Sequence, residues 1–175
     1  MAVLDIVTYP NPLLKKISKP VERFDEELHK LLDDMYETML AKNGVGLAAI
    51  QVAVPIRALI IDIGDEEGNQ SKDTLIEVIN PEFLEWEGTQ KYKEGCLSVP
   101  EYFDDVSRYE RVKVKFFDRF GKEHIMDASG LLSVAFQHET DHLDGHLFIE
   151  RLDYIRRKKF EKEWKKLLKK RKQKR

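Results

Sequence analysis

Gln137-His138-Glu139-Thr140-Asp141-His142-Leu143-Asp144-Gly145 contains His-Glu-x-x-His. On a helix, residues four apart share a face, so His138 and His142 can bind one metal ion side by side. Glu139 lies one residue further round, within reach of a water on that metal without being forced to bind it. Two imidazoles and a nearby carboxylate are the parts of a hydrolytic metal site. The flanks favour a helix. Ser129 or Asp127 is placed to cap its start. Leu131, Ala135, His138 and His142 then fall on one inward stripe, and Gly145 is placed to end it in a left-handed conformation. The bland alternative is a pair of histidines satisfied by ordinary hydrogen bonds. The Glu in register and the apolar lead-in favour a metal.

A catalytic metal needs a third protein ligand. In the metzincin extension of the motif, a further His follows the glycine; that position is Phe148. His146 comes after the expected helix stop and reads as an exposed loop residue. Cys96 stands out instead. A thiolate with two imidazoles completes a three-ligand set and leaves a position open. A lone cysteine is commonly buried and inert, and a Cys nucleophile with a His base is a second alternative. A pair of histidines already short of a partner favours the metal.

The chain has 175 residues, 42% of them hydrophobic and 35% charged, enough for one domain with a real core. A single Cys excludes an internal disulfide and suits a reducing cytoplasm. Met1 to Pro10 lacks the basic segment and apolar run of a secretion signal. No apolar run is long enough to span a membrane. The net charge of −2 hides an asymmetry: residues 156–175 hold 13 Lys/Arg against 2 Asp/Glu, while the other 155 residues hold 17 against 30.

Residues 1–20 are Pro-rich and should wrap the surface. Asp25 opens an amphipathic helix carrying Leu28, Leu31, Leu32, Met35 and Met39, which Asn43-Gly44 ends. His29 should face solvent. Gly44-Val45-Gly46-Leu47-Ala48-Ala49-Ile50-Gln51-Val52 is dense in small residues that permit close backbone approach. Gln51, polar in an apolar run, is either a core amide tied to backbone or a donor aimed into a site. Ile56 to Ile63 reads as a buried strand. Leu75 to Asn80 and Glu82 to Trp86 read as strands broken by Pro81, with Thr89 to Lys93 returning after Glu87-Gly88. Arg111 to Phe117 and Lys122 to Met126 form a further pair, with His124 facing solvent. Strands thus fill the middle, with a helix before and a helix after. That order implies an α+β fold: mostly antiparallel strands around a central His-Glu-x-x-His helix, with a helix in the N-terminal half and a basic helix at the C-terminal end.

Three separated stretches, Gly44-Val45-Gly46-Leu47-Ala48-Ala49-Ile50-Gln51, Glu94-Gly95-Cys96-Leu97-Ser98 and the His-Glu-x-x-His segment, resemble in order and spacing the signature motifs of the peptide deformylases. The resemblance covers roughly residues 1–160. It implies a metal held by Cys96, His138 and His142, usually Fe²⁺ in the cell, with Zn²⁺, Ni²⁺ or Co²⁺ able to replace it. It implies hydrolytic removal of formate from N-formylmethionyl nascent peptides, with Glu139 as general base and acid toward a metal-bound water. The Gln51 amide and the Leu97 backbone N–H would stabilise the oxyanion. An apolar pocket near Val45, Gly46 and the Leu131-to-Phe136 helix face would take the methionine. Glu94 would support that pocket or orient a neighbour, and the substrate backbone would pair near Gly44–Gly46 and Gly95–Leu97. Two positions depart from the common bacterial pattern: Ile50 stands where many members have Pro, and Phe103 where many have an Arg that meets the peptide end of the substrate. Arg108 is basic and placed to substitute in part.

Phe160, Trp164, Leu167 and Leu168 recur at helical spacing, so 153–170 should be helical with a narrow apolar stripe. The expected organisation is a catalytic domain over 1–152 and a basic helix over 153–175. The lysines suit phosphate. By resemblance, this helix would meet the ribosome near the exit tunnel; neither DNA nor membrane is an expected partner. A His-Glu-x-x-His metallopeptidase and a non-catalytic ribosome-binding protein on the same fold are the alternatives.

Overall fold

The computed structural model of the chain describes residues 2–173; Met1, Lys174 and Arg175, which belong to the expected N-terminal wrap and basic helix, lie outside the described residues. Helix α1 (Glu26–Ala41) is followed by strands β1 (Gly46–Ala48), β2 (Ala58–Ile61), β3 (Ile76–Glu87), β4 (Gln90–Cys96), β5 (Val99–Arg108), β6 (Arg111–Phe117) and β7 (Glu123–Ser129), then α2 (Gly130–Leu143) and α3 (Tyr154–Gln173). Five strands form an antiparallel sheet in the order β1-β2-β3-β6-β7, and β4-β5 stand apart as a two-stranded hairpin. This is the expected α+β arrangement.

Strand β2 shows why the layers form. Its residues are all buried, and consecutive side chains point to opposite faces. Ala58 and Ile60 pack with Leu28, Leu32 and Met35 of α1. Leu59 and Ile61 pack with Ala135, Phe136 and Leu143 of α2. The sheet is therefore covered by a helix on each face, and α2 lies between the sheet and the hairpin.

The ends of α1 are as its sequence predicts: Asp25 Oδ1 accepts the Leu28 N–H at 3.1 Å, and Asn43 turns the chain at φ 58°. The start of α2 differs. Ser129 occupies the cap position, but its side chain makes no capping bond, and Asp127 is paired with Arg111 at 2.7 Å. The turn is made by Gly130 at φ 58°, and its N–H donates to the Glu110 carbonyl at 3.1 Å. Backbone supplies what a cap would have. Gly145 ends the helix at φ 80°.

Other expectations are corrected. Strand β3 runs through Pro81 because the ladder is already irregular there: Asn80 has φ 51° and the register shifts between Ile79 and Glu82, a bulge that excuses the missing N–H. Strand β5 was not expected at all. Its buried residues, Val99, Tyr102, Val106 and Arg108, do not alternate from the start, because Glu101 sits at φ 65°. His29 does not face solvent freely: its ring bonds the Arg119 carbonyl at 2.8 Å and meets Phe120 edge-on. His124 is half-buried, bonded to Asp118 at 2.8 Å and stacked on Phe116.

Helix α3 anchors by its apolar stripe. Phe160 and Trp164 are buried with Leu14, Tyr102 and Phe148. Phe160 meets Tyr9 and Tyr102 in edge-to-face contacts at 5.5 and 4.7 Å. Truncating a buried Phe removes transfer energy and leaves a cavity. Phe160→Ala is therefore expected to destabilise the whole protein by about 3–5 kcal/mol, seen as one cooperative loss in chemical denaturation. A separate early loss of α3 signal alone would show that the helix is an appendage.

Candidate metal centre

Helix α2 carries His138 and His142 one turn apart, with ring centroids 5.1 Å apart. Both are buried, at 8% and 0% exposure. Cys96 ends β4, where the ladder slips: Gly95 pairs with Phe103 but Cys96 with Val99. That irregularity re-aims the thiol toward α2, and its Sγ lies 3.4 Å from His142 Nε2. One ligand atom from each of Cys96, His138 and His142 falls within 4.8 Å of the others. One thiolate and two imidazoles at this spacing fit a single divalent cation of tetrahedral habit with a coordination position left open.

The ligands are held from behind. His138 Nδ1 bonds Glu94 Oε1 at 2.8 Å, which leaves Nε2 as the nitrogen available to a cation. Glu94 is buried and grips Arg108 in a two-pronged bond, at 2.8 Å to Nε and 2.9 Å to Nη2. Arg108 Nη1 continues to Asp141 Oδ2 at 2.7 Å, and Asp141 also receives Arg151. Burial pushes the Glu94 carboxyl up, but the Arg108 and His138 bonds outweigh it and hold the group below its ordinary range. Phe148, where a third histidine would have stood, stacks on the His138 ring at 6.0 Å. Burial drives His142 well below the usual imidazole value; neutral imidazole is the form that ligates a cation.

Glu139 is buried beside this group, with Oε1 3.6 Å from His138 Nε2, and its Oε2 has no hydrogen-bond partner among the described residues. Burial pushes its carboxyl up to about 7. A cation on the neighbouring ligands acts in the opposite sense. Gly46 leaves the carboxylate its space: a Cβ there would lie 3.0 Å from Glu139.

The two ends of the Gln51 amide make different bonds. Oε1 accepts the Ala48 N–H at 2.9 Å, while Nε2 donates to Ser98 Oγ at 3.0 Å and approaches Cys96 Sγ at 3.5 Å. A cleft of about 510 Å³ opens beside these groups. Val45, Gly46, Leu97, Leu131 and Ala135 line it with Gly95. Phe136, on the expected pocket face, turns instead into the core at 0% exposure.

The structure thus gathers Cys96, His138, His142, Glu139, Gln51, Leu97, Val45, Gly46 and Gly95 around one cleft. Glu94 stands behind His138. Arg108 does not take the place of a substrate-facing arginine: it is 6% exposed and its guanidinium is committed to Glu94 and Asp141. His146 is exposed and pairs with Glu150, away from the site. Ser98 and Asp141 were not singled out from the sequence. Their only signal is that they sit inside the Cys and His motifs.

The model of the polypeptide deformylases matches residues 3–158. The chain belongs to the peptide deformylase family. It is 84% identical over 174 residues to the peptide deformylase of Nautilia profundicola, covering 99% of this chain and 100% of that one. It is 53% identical over 172 residues to that of Helicobacter pylori strain P12, covering 98% and 99%. A crystal structure of a peptide deformylase from Legionella pneumophila superposes with a TM-score of 0.89 at 43% identity, covering 99% of both chains. Peptide deformylases are metal-dependent hydrolases that remove the N-terminal formyl group from nascent peptides, and that is the activity of this chain. The Cys96, His138 and His142 group fits the family's need for a metal.

Because Glu94 fixes the tautomer and orientation of His138, its charge should matter to metal affinity. Glu94→Gln is expected to weaken metal binding by about 10- to 100-fold in competition against a chelator, with the secondary structure retained. Unchanged affinity would show that His138 is positioned by helix packing alone.

Proposed function

We propose that Cys96, His138 and His142 hold one divalent cation, and that Glu139, Gln51 and Leu97 carry the hydrolysis of N-formylmethionyl peptides there. The observation that carries this reading is the convergence of three buried donors with the Glu139 carboxylate beside an apolar cleft. The cation supplies Lewis acidity, drawing down the pKa of a water and polarising the formyl carbonyl. Glu139 takes the proton of the attacking water and returns it to the leaving amine. The formamide C–N bond breaks, formate keeps the water oxygen, and the methionine amine leaves protonated. Negative charge developing on the formyl oxygen meets the Gln51 amide and the Leu97 backbone N–H. The bond from Ala48 to Gln51 Oε1 supports this role, because it fixes Nε2 as the end facing Cys96. Fe²⁺ is the proposed cellular metal. Zn²⁺, Ni²⁺ and Co²⁺ suit thiolate and imidazole equally.

Val45, Gly46 and the exposed face of α2 receive the methionine side chain. The substrate backbone runs between β1 and β4, each an edge strand on the side away from its single partner, in the manner of strand addition. The catalytic domain runs to residue 152, and the basic helix that follows, α3, packs on it. Lys158, Lys162, Lys165, Lys166 and Lys169 lie along one face of α3, which suits ribosomal RNA near the site where nascent chains emerge. Among the described residues no helix is long and apolar enough to cross a membrane, in keeping with a cytoplasmic place of work.

Formate release from formyl-Met-Ala-Ser by anaerobically prepared protein tests the chemistry. Cys96→Ala should lose both metal and turnover. Glu139→Ala should keep the metal and lose at least about a hundredfold in kcat; retention of activity by Glu139→Ala would remove it as the base. Ribosome binding should weaken steeply, by about tenfold or more between roughly 50 and 200 mM salt, in co-sedimentation. Salt-independent binding would overturn the phosphate contact.

A further inference from the structure

Phe103 is 61% exposed on β5, and its ring lies over a residue that has no side chain. Gly95 and Phe103 are directly paired across the hairpin, so they share a face. A Cβ built on Gly95 would fall 2.2 Å from Phe103 Cε1; only glycine lets the ring lie there. Tyr92, Val45 and Phe103, each a large apolar side chain at least 40% exposed, all border the same cleft. Three exposed apolar side chains around one cleft suit a surface that meets apolar groups.

Strand geometry says what this ring meets. Side chains alternate along β4, so Glu94 and Cys96 point to one face and Gly95 to the other. The first face is the one toward α2, since Glu94 bonds His138. Resting on the site proposed above, a peptide added along the free edge of β4 alternates in the same way. Its methionine side chain points toward α2, so the next residue points to the face of Gly95. There it finds no glycine side chain beside it, but the ring of Phe103. Lys93 lies on that face as well, two residues along and opposite Asp105, and Lys42 and Glu101 edge the cleft. Charged peptides are therefore the informative competitors.

We propose that Phe103 is a specificity-determining residue that selects an apolar side chain at the position immediately after formyl-methionine. The rival explanation is structural, a ring covering a strand glycine for stability. The two differ in readout.

The experiment measures kcat/KM by formate release for formyl-Met-Xaa-Ser with Leu, Phe, Lys or Glu at Xaa, and for formyl-Met-Ala-Xaa with the same set. Wild type, Phe103→Leu, Phe103→Ala and Phe103→Arg are compared as metal-loaded full-length proteins, each with its melting temperature. Wild type is expected to favour Leu and Phe over Lys and Glu at the second position by about fivefold, with a smaller ratio at the third. Phe103→Ala should bring the second-position ratio near one, Phe103→Leu should preserve most of it, and Phe103→Arg should turn it toward Glu. Equal ratios in wild type and Phe103→Ala, or selectivity at the third position alone, would overturn the inference while leaving the active site standing. A fall in melting temperature with unchanged ratios would assign Phe103 the structural role. A metal-loaded wild type inert toward every formyl peptide would overturn the site and this inference together.

Discussion

The Glu94 carboxylate sits between the Arg108 guanidinium and His138 Nδ1, with bonds of 2.8 to 2.9 Å to both and almost no solvent. An ionised carboxylate in that position is tolerable only because it is paired and hydrogen-bonded. The same pairing does three things. It engages Nδ1 of His138 and leaves Nε2 turned toward Glu139. It ties the β4-β5 hairpin, which shares no ladder with the larger sheet, to helix α2. It also consumes the one arginine near the site that the sequence offered for the substrate. Remove the charge on either side and the other keeps only its second partner, Arg108 the Asp141 carboxylate or Glu94 the His138 ring, so the orientation of His138 and the docking of the hairpin are coupled.

What the sequence made legible follows the range of the interactions involved. The histidine pair and Glu139 are set by helical spacing alone, and the glycine that stops α2 is one residue with one conformation. These needed no knowledge of the rest of the chain. Cys96 stood out because two candidate ligands call for a third, and the structure brings it beside both histidines. Arg108 was misjudged because arginine is ordinarily exposed; its burial depends on Glu94, 14 residues earlier, and Asp141, 33 residues later. Strand β5 was missed for a related reason. The left-handed turn at Glu101 scrambles its alternation, and only pairing with β4 reveals it as a strand. His29 was expected in solvent, yet its partner is a carbonyl 90 residues away.

The separation of charge along the chain matches the separation of tasks. Catalytic groups lie in a body with acidic excess, while the basic residues concentrate in the last twenty. Yet α3 is no loose tail. Phe160 and Trp164 complete a core that also holds Phe148, whose ring supports His138. The helix that carries the positive charge is thus linked to His138 through the rings of Tyr102 and Phe148.

Three glycines, Gly44, Gly46 and Gly95, stand among the side chains that line the cleft. At Gly46 an added side chain would press on Glu139 at 3.0 Å, at Gly44 on Leu97 at 2.9 Å, and at Gly95 on the Phe103 ring at 2.2 Å. At each of these positions a neighbouring side chain would have to shift to admit a Cβ. A substitution at any of the three would therefore be felt first at a neighbour, at Glu139, Leu97 or Phe103, rather than in the open cleft.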